Sequence, residues 1–229
     1  MTSLQKWGKS VRTTIPVMAG YLVLGAGFGI LLRTRGYGLG WALAMSAFIY
    51  AGSMQYVAID LLTGGASLLT TAVTTLLVNA RHLFYGISML ERYRAAGRYA
   101  PYLIFSLTDE TYSLVAARED LTGAECFRIS LLDQLYWVLG TALGSLAGAY
   151  LDFNTTGIDF SLTALFLTVF TEQWLETKDH APALIGLGVS IVCRLLFGAD
   201  SFLLPTMGGI LCCLLVLDAR RTKKGGESV

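Results

Sequence analysis

The sequence predicts an all-α fold: a polytopic integral membrane helical bundle of six to eight membrane segments, two of them broken or re-entrant. Three observations predict it. Of 229 residues, 54% are hydrophobic and only 14% charged, with a mean hydropathy of +0.59, against roughly 25% charged in an average soluble domain. Apolar stretches of membrane-crossing length follow one another with short loops between them. Two of those stretches hold polar clusters near their middles, where a plain span would stay apolar. The 17 Lys+Arg nearly cancel the 16 Asp+Glu, so no basic excess holds nucleic acid and no acidic excess keeps the chain disordered. A core wrapped in water could not absorb so much apolar sequence without large sticky patches, so lipid is the solvent that fits.

The first stretch, from about Thr14 to Leu32, follows a basic N-terminus, residues 1–12, with Lys6, Lys9 and Arg12. It is too long for a signal-peptide core and no small-x-small cleavage site leads into a polar domain, so it reads as a retained span. Its Gly20, Gly25, Gly27 and Gly29 include a Gly25-x-x-x-Gly29 stripe that reads as helix packing. Further stretches cover 39–62, 66–90, 99–117, 127–150, 157–174, 181–199 and 201–218. No linker or compositional change divides them, so residues 1–229 read as a single membrane domain.

The tail 219–229 is basic through Arg220, Arg221, Lys223 and Lys224. Both termini are therefore expected in the cytoplasm, with an even number of crossings. Eight full crossings would put the loop of Arg92, Arg94 and Arg98 outside. Six crossings, with the second and fourth stretches re-entrant, move that loop inside and leave Asp152 and Asp159 outside. Arg33 and Arg35 stay on the wrong side in both arrangements, and the positive-inside count favours six. Cys126, Cys193, Cys212 and Cys213 lack CxxC spacing and neighbouring His, so they read as small packed hydrophobes, with no metal site or cofactor expected.

Charges in the bilayer core cost at least about 2.5–3.5 kcal/mol each, so those that occur there face protein or water. Asp60, Arg81, His82, Asp109, Glu110, Asp133, Glu172 and Arg194 are the candidates. Asp60, Asp133 and Glu172, nearest the ends of their stretches, also fit snorkelling or capping, and Arg194 needs an acidic partner or a wet cavity. The second stretch reads Phe48-Ile-Tyr50-Ala51-Gly52-Ser53-Met54-Gln55-Tyr56. A break at Gly52 would free backbone groups to line a cavity, and a half-helix starting there could hold a carboxylate on its N–H groups. Close packing through Ala51 and Gly52 fits the same residues.

The third stretch holds Asn79-Ala80-Arg81-His82-Leu83-Phe84-Tyr85-Gly86, in which Asn79, His82 and Gly86 share one helical face. Arg81 suits clamping a carboxylate and His82 suits relaying a proton; a structural network between helices is the alternative. The fourth stretch packs Asp109 and Glu110 among Ser106, Thr108, Thr111 and Ser113, with Ser106, Asp109 and Ser113 on one face. Two adjacent carboxylates in a poorly hydrated site should not both carry charge, so one could carry a proton. Alternatively they cap a broken helix or pair with Arg81 or Arg194.

Taken as an ordered set, these words resemble the AzlC-type branched-chain amino-acid permease family. The matching residues are Gly25 to Gly29; Phe48 with Ala51-Gly52-Ser53-Met54-Gln55; Asn79 through Tyr85; Leu107-Thr108-Asp109-Glu110-Thr111-Tyr112; and Leu151-Asp152 with Gly157-Ile158-Asp159-Phe160 leading to Thr163-Ala164-Leu165-Phe166. Met54 departs from the small residue usual before the Gln. The resemblance implies a multi-pass exporter of Leu, Ile, Val and Met in the bacterial inner membrane, working with a small, separately encoded membrane subunit of the AzlD type. A zwitterionic substrate would then find a carboxylate site at the Gly52–Gln55 break (Gly52, Ser53 and Gln55) or at Arg81, an ammonium site at Asp109 or Glu110, and an apolar pocket at Phe48, Met54 and Phe105, with Asn79 a further substrate-binding residue. His82, Asp109 and Glu110 would serve proton coupling. A passive channel is the rival expectation. An intramembrane enzyme is a third, disfavoured because the chain has only His82 and His180, no HExxH and no GxSxG.

Overall fold

The computed structural model describes residues 2–116, 118, 120–150 and 177–226, with positions 157, 160, 163, 164, 167, 170, 171, 174 and 175. Asp152, Asp159 and Glu172, and most of the expected 157–174 span, lie outside the described residues. The chain forms two compact units, Met1–Thr163 and Ala164–Val229. Among the described residues the regular structure is helical throughout.

In the first unit, α1 (Ser3–Thr34) and α9 (Gly123–Tyr150) lie side by side. Contacts pair Lys9 with Glu125, Ser10 with Arg128 and Thr14 with Tyr136, so the two helices run parallel. Small residues make the approach possible. A Cβ on Gly25 would sit 2.8 Å from the Trp137 carbonyl oxygen, and one on Gly144 would overlap the Ala26 backbone. Gly25-x-x-x-Gly29 is thus a packing seam, as its spacing suggested. The basic residues of the N-terminus lie within the same helix: α1 begins at Ser3, capped by Thr2 and Gln5 in a reciprocal box.

The second stretch breaks into α2 (Leu39–Phe48) and α3 (Gly52–Thr63). From the C-terminal end of α1, α2 descends along α9 until Ser46 meets Thr141 and the Ala47 carbonyl accepts from Gln134. The chain then turns at Tyr50, a non-glycine residue at φ 41°, a conformation costly for a bulky side chain. From Gly52 beside Trp137, α3 climbs back until the Tyr56 hydroxyl donates to the Leu24 carbonyl and its ring meets Phe28. The segment is a helical hairpin entering from the C-terminal end of α1.

The third stretch divides at Asn79 into α4 (Leu68–Val78) and α5 (Ala80–Ser88), followed by α6 (Leu90–Ala95) and a 3-10 turn at Gly97–Tyr99. The fourth divides at Ser106–Thr108 into α7 (Ala100–Phe105) and α8 (Asp109–Ala116). Ala96 lies against Gly123, Tyr99 and Tyr102 against Phe127, and the Tyr102 hydroxyl donates to Gln134 at 2.7 Å. After the break the chain descends, and Arg92 donates to the carbonyls of Val115 and Arg118 while Arg118 reaches Thr13. This second hairpin enters from the N-terminal end of α1, opposite to the first.

In the second unit, α10 (Ala181–Ser201) packs on α11 (Leu203–Gly226), and Gly198 at φ 75° kinks α10. The expected acidic partner of Arg194 is not found among the described residues; its guanidinium lies 5.6 Å from the centre of the Phe202 ring instead, a cation–π contact. The His180 ring stacks on Trp174, with centroids 4.1 Å apart. Leu4–Thr34 in α1 and Ala181–Gly198 in α10 are each long and apolar enough to cross a bilayer.

Candidate functional site

The breaks at Tyr50–Ala51 and Ser106–Thr108 lie beside the middle of α9, near Trp137 and Asp133, and Arg81, just past the break at Asn79, reaches the helix starts that follow both. Each of the three breaks is followed by a helix start: Gly52 for α3, Ala80 for α5 and Asp109 for α8. Helix starts present N–H groups and the positive end of the peptide dipole. The first turn of α8 answers that charge with its own Asp109 and Glu110, whereas the first turn of α3 holds no acid.

Across the start of α3 runs a short polar line. The Arg81 guanidinium donates to Ser53 Oγ at 2.7 Å and makes an ion pair with Asp109 at 2.9 Å. Asn79 closes the break, its Oδ1 buried without a hydrogen-bond partner among the described residues. Gln55, fully buried, accepts from Trp137 Nε1 at 2.9 Å and donates to Ser46 at 3.1 Å, and Ser46 donates to Thr141 at 2.9 Å. Gly52 sits close against this group: a Cβ there would lie 3.0 Å from the Trp137 ring, tighter than an ordinary side-chain contact.

A second line starts from Glu110. Tyr21 of α1 donates to its carboxylate at 2.7 Å and lies 2.7 Å from Thr108; Thr108 donates to Thr111 at 3.1 Å, and Thr111 to Asp133 at 2.9 Å. Adjacent residues on a helix point about 100° apart, so Asp109 and Glu110 face different partners. The two acids do not share a partner: Asp109 pairs with Arg81 and Glu110 accepts from Tyr21. Nor do Ser106, Asp109 and Ser113 share a helix face, because the chain is unwound at Ser106–Thr108.

The apolar candidates separate. Phe48 is 80% exposed, turned away from the network because it lies two residues beyond the inward-facing Ser46. Met54 is packed in the core with Tyr50, Tyr56 and Trp137, and Phe105 lies against Tyr50, with ring centroids 6.4 Å apart. The His82 ring packs edge-on to Tyr85 and lines an apolar groove of about 400 Å³ with Leu83, Ile87 and Ile104. Sequence reading passed over Trp137 and Ser46, which bind Gln55, and Thr141, which accepts from Ser46. It also left Asp133 open as an end-of-stretch residue, yet Asp133 lies well inside α9 and is fully buried. A lone acid that deep within a helix was the available signal.

The AzlC protein family model matches residues 16–151, the part of the chain that contains both hairpins. The chain belongs to the AzlC family. The Bacillus subtilis protein named "Branched-chain amino acid transport protein AzlC" is 46% identical over 89% of this chain and 82% of its own length. A Helicobacter pylori protein named "Uncharacterized membrane protein" is 44% identical over 89% and 91%. The Escherichia coli "Inner membrane protein YgaZ" is 27% identical over 90% and 87%. No solved structure matches the chain. AzlC relatives named as membrane proteins, together with the two apolar helices, support a membrane location for this chain.

Proposed function

We propose that this AzlC-family chain exports branched-chain and similar hydrophobic amino acids, Leu, Ile, Val and Met, across the bacterial inner membrane, with both termini cytoplasmic. The proposal includes coupling to the proton gradient or membrane potential, and assistance from a small membrane subunit of the AzlD type. The B. subtilis relative's name supplies the substrate class. The observation that bears most weight is the Arg81–Asp109 ion pair lying across the unanswered start of α3 beside Ser53.

A zwitterion is the complement of an ion pair. Its carboxylate can take over Arg81, Ser53 and the α3 N–H groups while its ammonium takes Asp109, so substrate and protein exchange partners without leaving a bare buried charge. Gln55 and Asn79 supply further polar contacts, and Met54 and Phe105 the apolar side. Glu110, held by the Tyr21 hydroxyl rather than by a cation, is the better placed of the two adjacent acids to carry a proton, with His82 as a further relay. In this reading α1, α4–α5 and α9 cross the bilayer, while α2–α3 and α7–α8 are re-entrant, consistent with unwound backbone surviving at membrane depth only inside protein.

Reconstitution into liposomes, alone and with an AzlD-type subunit, followed by counterflow of labelled Leu, Val, Met and Lys, tests the proposal. Leu, Val and Met should exchange and Lys should not. Equal entry of Lys would overturn the substrate class, and Leu that equilibrates but never accumulates against its gradient would make the chain a passive pore.

A further inference from the structure

Glu110 and Asp133 are joined by oxygen atoms alone. The chain runs from Glu110 Oε2 to the Tyr21 hydroxyl (2.7 Å), to Thr108 Oγ1 (2.7 Å), to Thr111 Oγ1 (3.1 Å) and to Asp133 Oδ2 (2.9 Å). Thr108, Thr111 and Asp133 are buried, as is Tyr21. Neither carboxyl makes an ion pair with a cation among the described residues; the ion pair of this region belongs to Asp109 and Arg81. The groups facing the pair are Tyr21 from α1, Tyr50 from the α2–α3 break, Tyr85 from α5, Tyr102 from α7, and Asp109 and Arg81 beside Glu110.

Hydrogen counting decides what this chain holds. Each of its four oxygen–oxygen contacts needs one hydrogen between the two atoms, because two oxygens that close repel without one. Tyr21, Thr108 and Thr111 supply three, one from each hydroxyl. With both carboxylates ionised, one contact would have none. A single further proton completes the chain in either of two senses. Held on Glu110, it is donated to Tyr21, and each hydroxyl then donates onward until Thr111 donates to an ionised Asp133. Held on Asp133, it is donated to Thr111, and every donation runs the other way to an ionised Glu110.

We infer that Glu110 and Asp133 form a two-ended proton site holding one shared proton, which passes between α8 and α9 through Tyr21, Thr108 and Thr111. A shift from one sense to the other moves each hydroxyl hydrogen one link along. One O–H bond breaks at the donating carboxyl and one forms at the receiving carboxyl, so the total charge is unchanged. Both hairpins and α1 pack against the relay: the α7–α8 hairpin contains Thr108, Glu110 and Thr111, and the buried Tyr50 of the other hairpin lies close to Tyr21, Glu110 and Asp133. A rearrangement of either hairpin on binding substrate would therefore lengthen a link and fix the proton at one end. Coupling through this relay rests on the transport reading; occupancy by one proton does not.

Two measurements separate them. Infrared difference spectra of the purified full chain in lipid at neutral pH should show a protonated-carboxyl carbonyl band that shifts in deuterium oxide. The band should persist in Asp109→Asn. It should vanish in Glu110→Gln and in Asp133→Asn, where an amide N–H supplies the missing hydrogen. Absence of the band in the native chain, or its survival in the double Glu110→Gln, Asp133→Asn variant, overturns the shared proton whether or not the chain transports anything. In liposomes, the ratio of pH-gradient-driven leucine accumulation to leucine counterflow should fall at least tenfold in Asp133→Asn. It should fall likewise in Tyr21→Phe, which keeps both carboxyls and cuts the chain between them. An unchanged ratio in both variants overturns the coupling role. A native chain with the band but no counterflow keeps the relay and removes the transport reading.

Discussion

Arg81 gathers most of the polar contacts at the start of α3, and its chemistry sets what can replace it. It reaches Ser53 and Asp109 at once, through two different guanidinium nitrogens. An ammonium has no such planar fork. Arg81→Lys is expected to lower leucine counterflow at least about tenfold, mainly through a raised KM, with Arg81→Gln abolishing it; concentration-dependent counterflow separates the two parameters. Gln55 makes a different demand. Its side-chain oxygen is buried and accepts from Trp137, so Trp137→Phe removes the donor and leaves the acceptor behind. The expected cost is about 1–3 kcal/mol, read as a lower thermal unfolding midpoint of the detergent-purified chain.

At the scale of elements, the seam between α1 and α9 is the rigid part of the first unit, and glycine is what makes it close. Gly144→Val would drive two methyls into the Ala26 backbone. Backbone cannot swing aside as a side chain can, so the loss should exceed the roughly 1–3 kcal/mol of ordinary overpacking. Such a variant should aggregate on size exclusion, whereas Gly20→Ala, with nothing within 4 Å of the added carbon, should elute like the native chain. The hairpins contrast with this seam. Each is two short helices of 6 to 12 residues with an unwound tip, and such tips are where substrate-dependent rearrangement is cheapest in broken hydrogen bonds.

The whole molecule distributes polarity inside out. Val23 and Ile87 are 72% exposed and Leu68 90%, while Gln55, Thr111 and Asp133 are fully buried. A surface of that kind would aggregate in water and is satisfied by lipid. The opposed hairpins also fix which loops share a side, because Arg92 reaches Arg118, and Arg118 reaches Thr13 near the basic N-terminus. With the N-terminus cytoplasmic, as proposed, single cysteines at Arg94 and Asp120 in a cysteine-free background should resist a membrane-impermeant maleimide added to intact cells. One at Ala66, at the other end of the first hairpin, should react. Labelling of Arg94→Cys from outside would support eight full crossings instead. The same contacts show what could be read from sequence at this scale. The polar words at Tyr50–Gln55 and Ser106–Glu110 marked both breaks, but two helices and a break give one hydropathy profile whether the second helix continues across or turns back.

By itself the sequence determined the helical class, the apolar stretches, two of the three breaks and the AzlC resemblance, because hydropathy, period and motif order are all local properties of a chain; it did not show the break at Asn79. Tertiary structure alone decided that Asp109 faces Arg81 while Glu110 faces Tyr21, that Phe48 turns outward, and that Asp133 is an interior acid linked through hydroxyls to Glu110. Those outcomes depend on which helices lie side by side and in which direction. That choice is made by backbone contact at Gly25, Gly29 and Gly144, between segments more than a hundred residues apart.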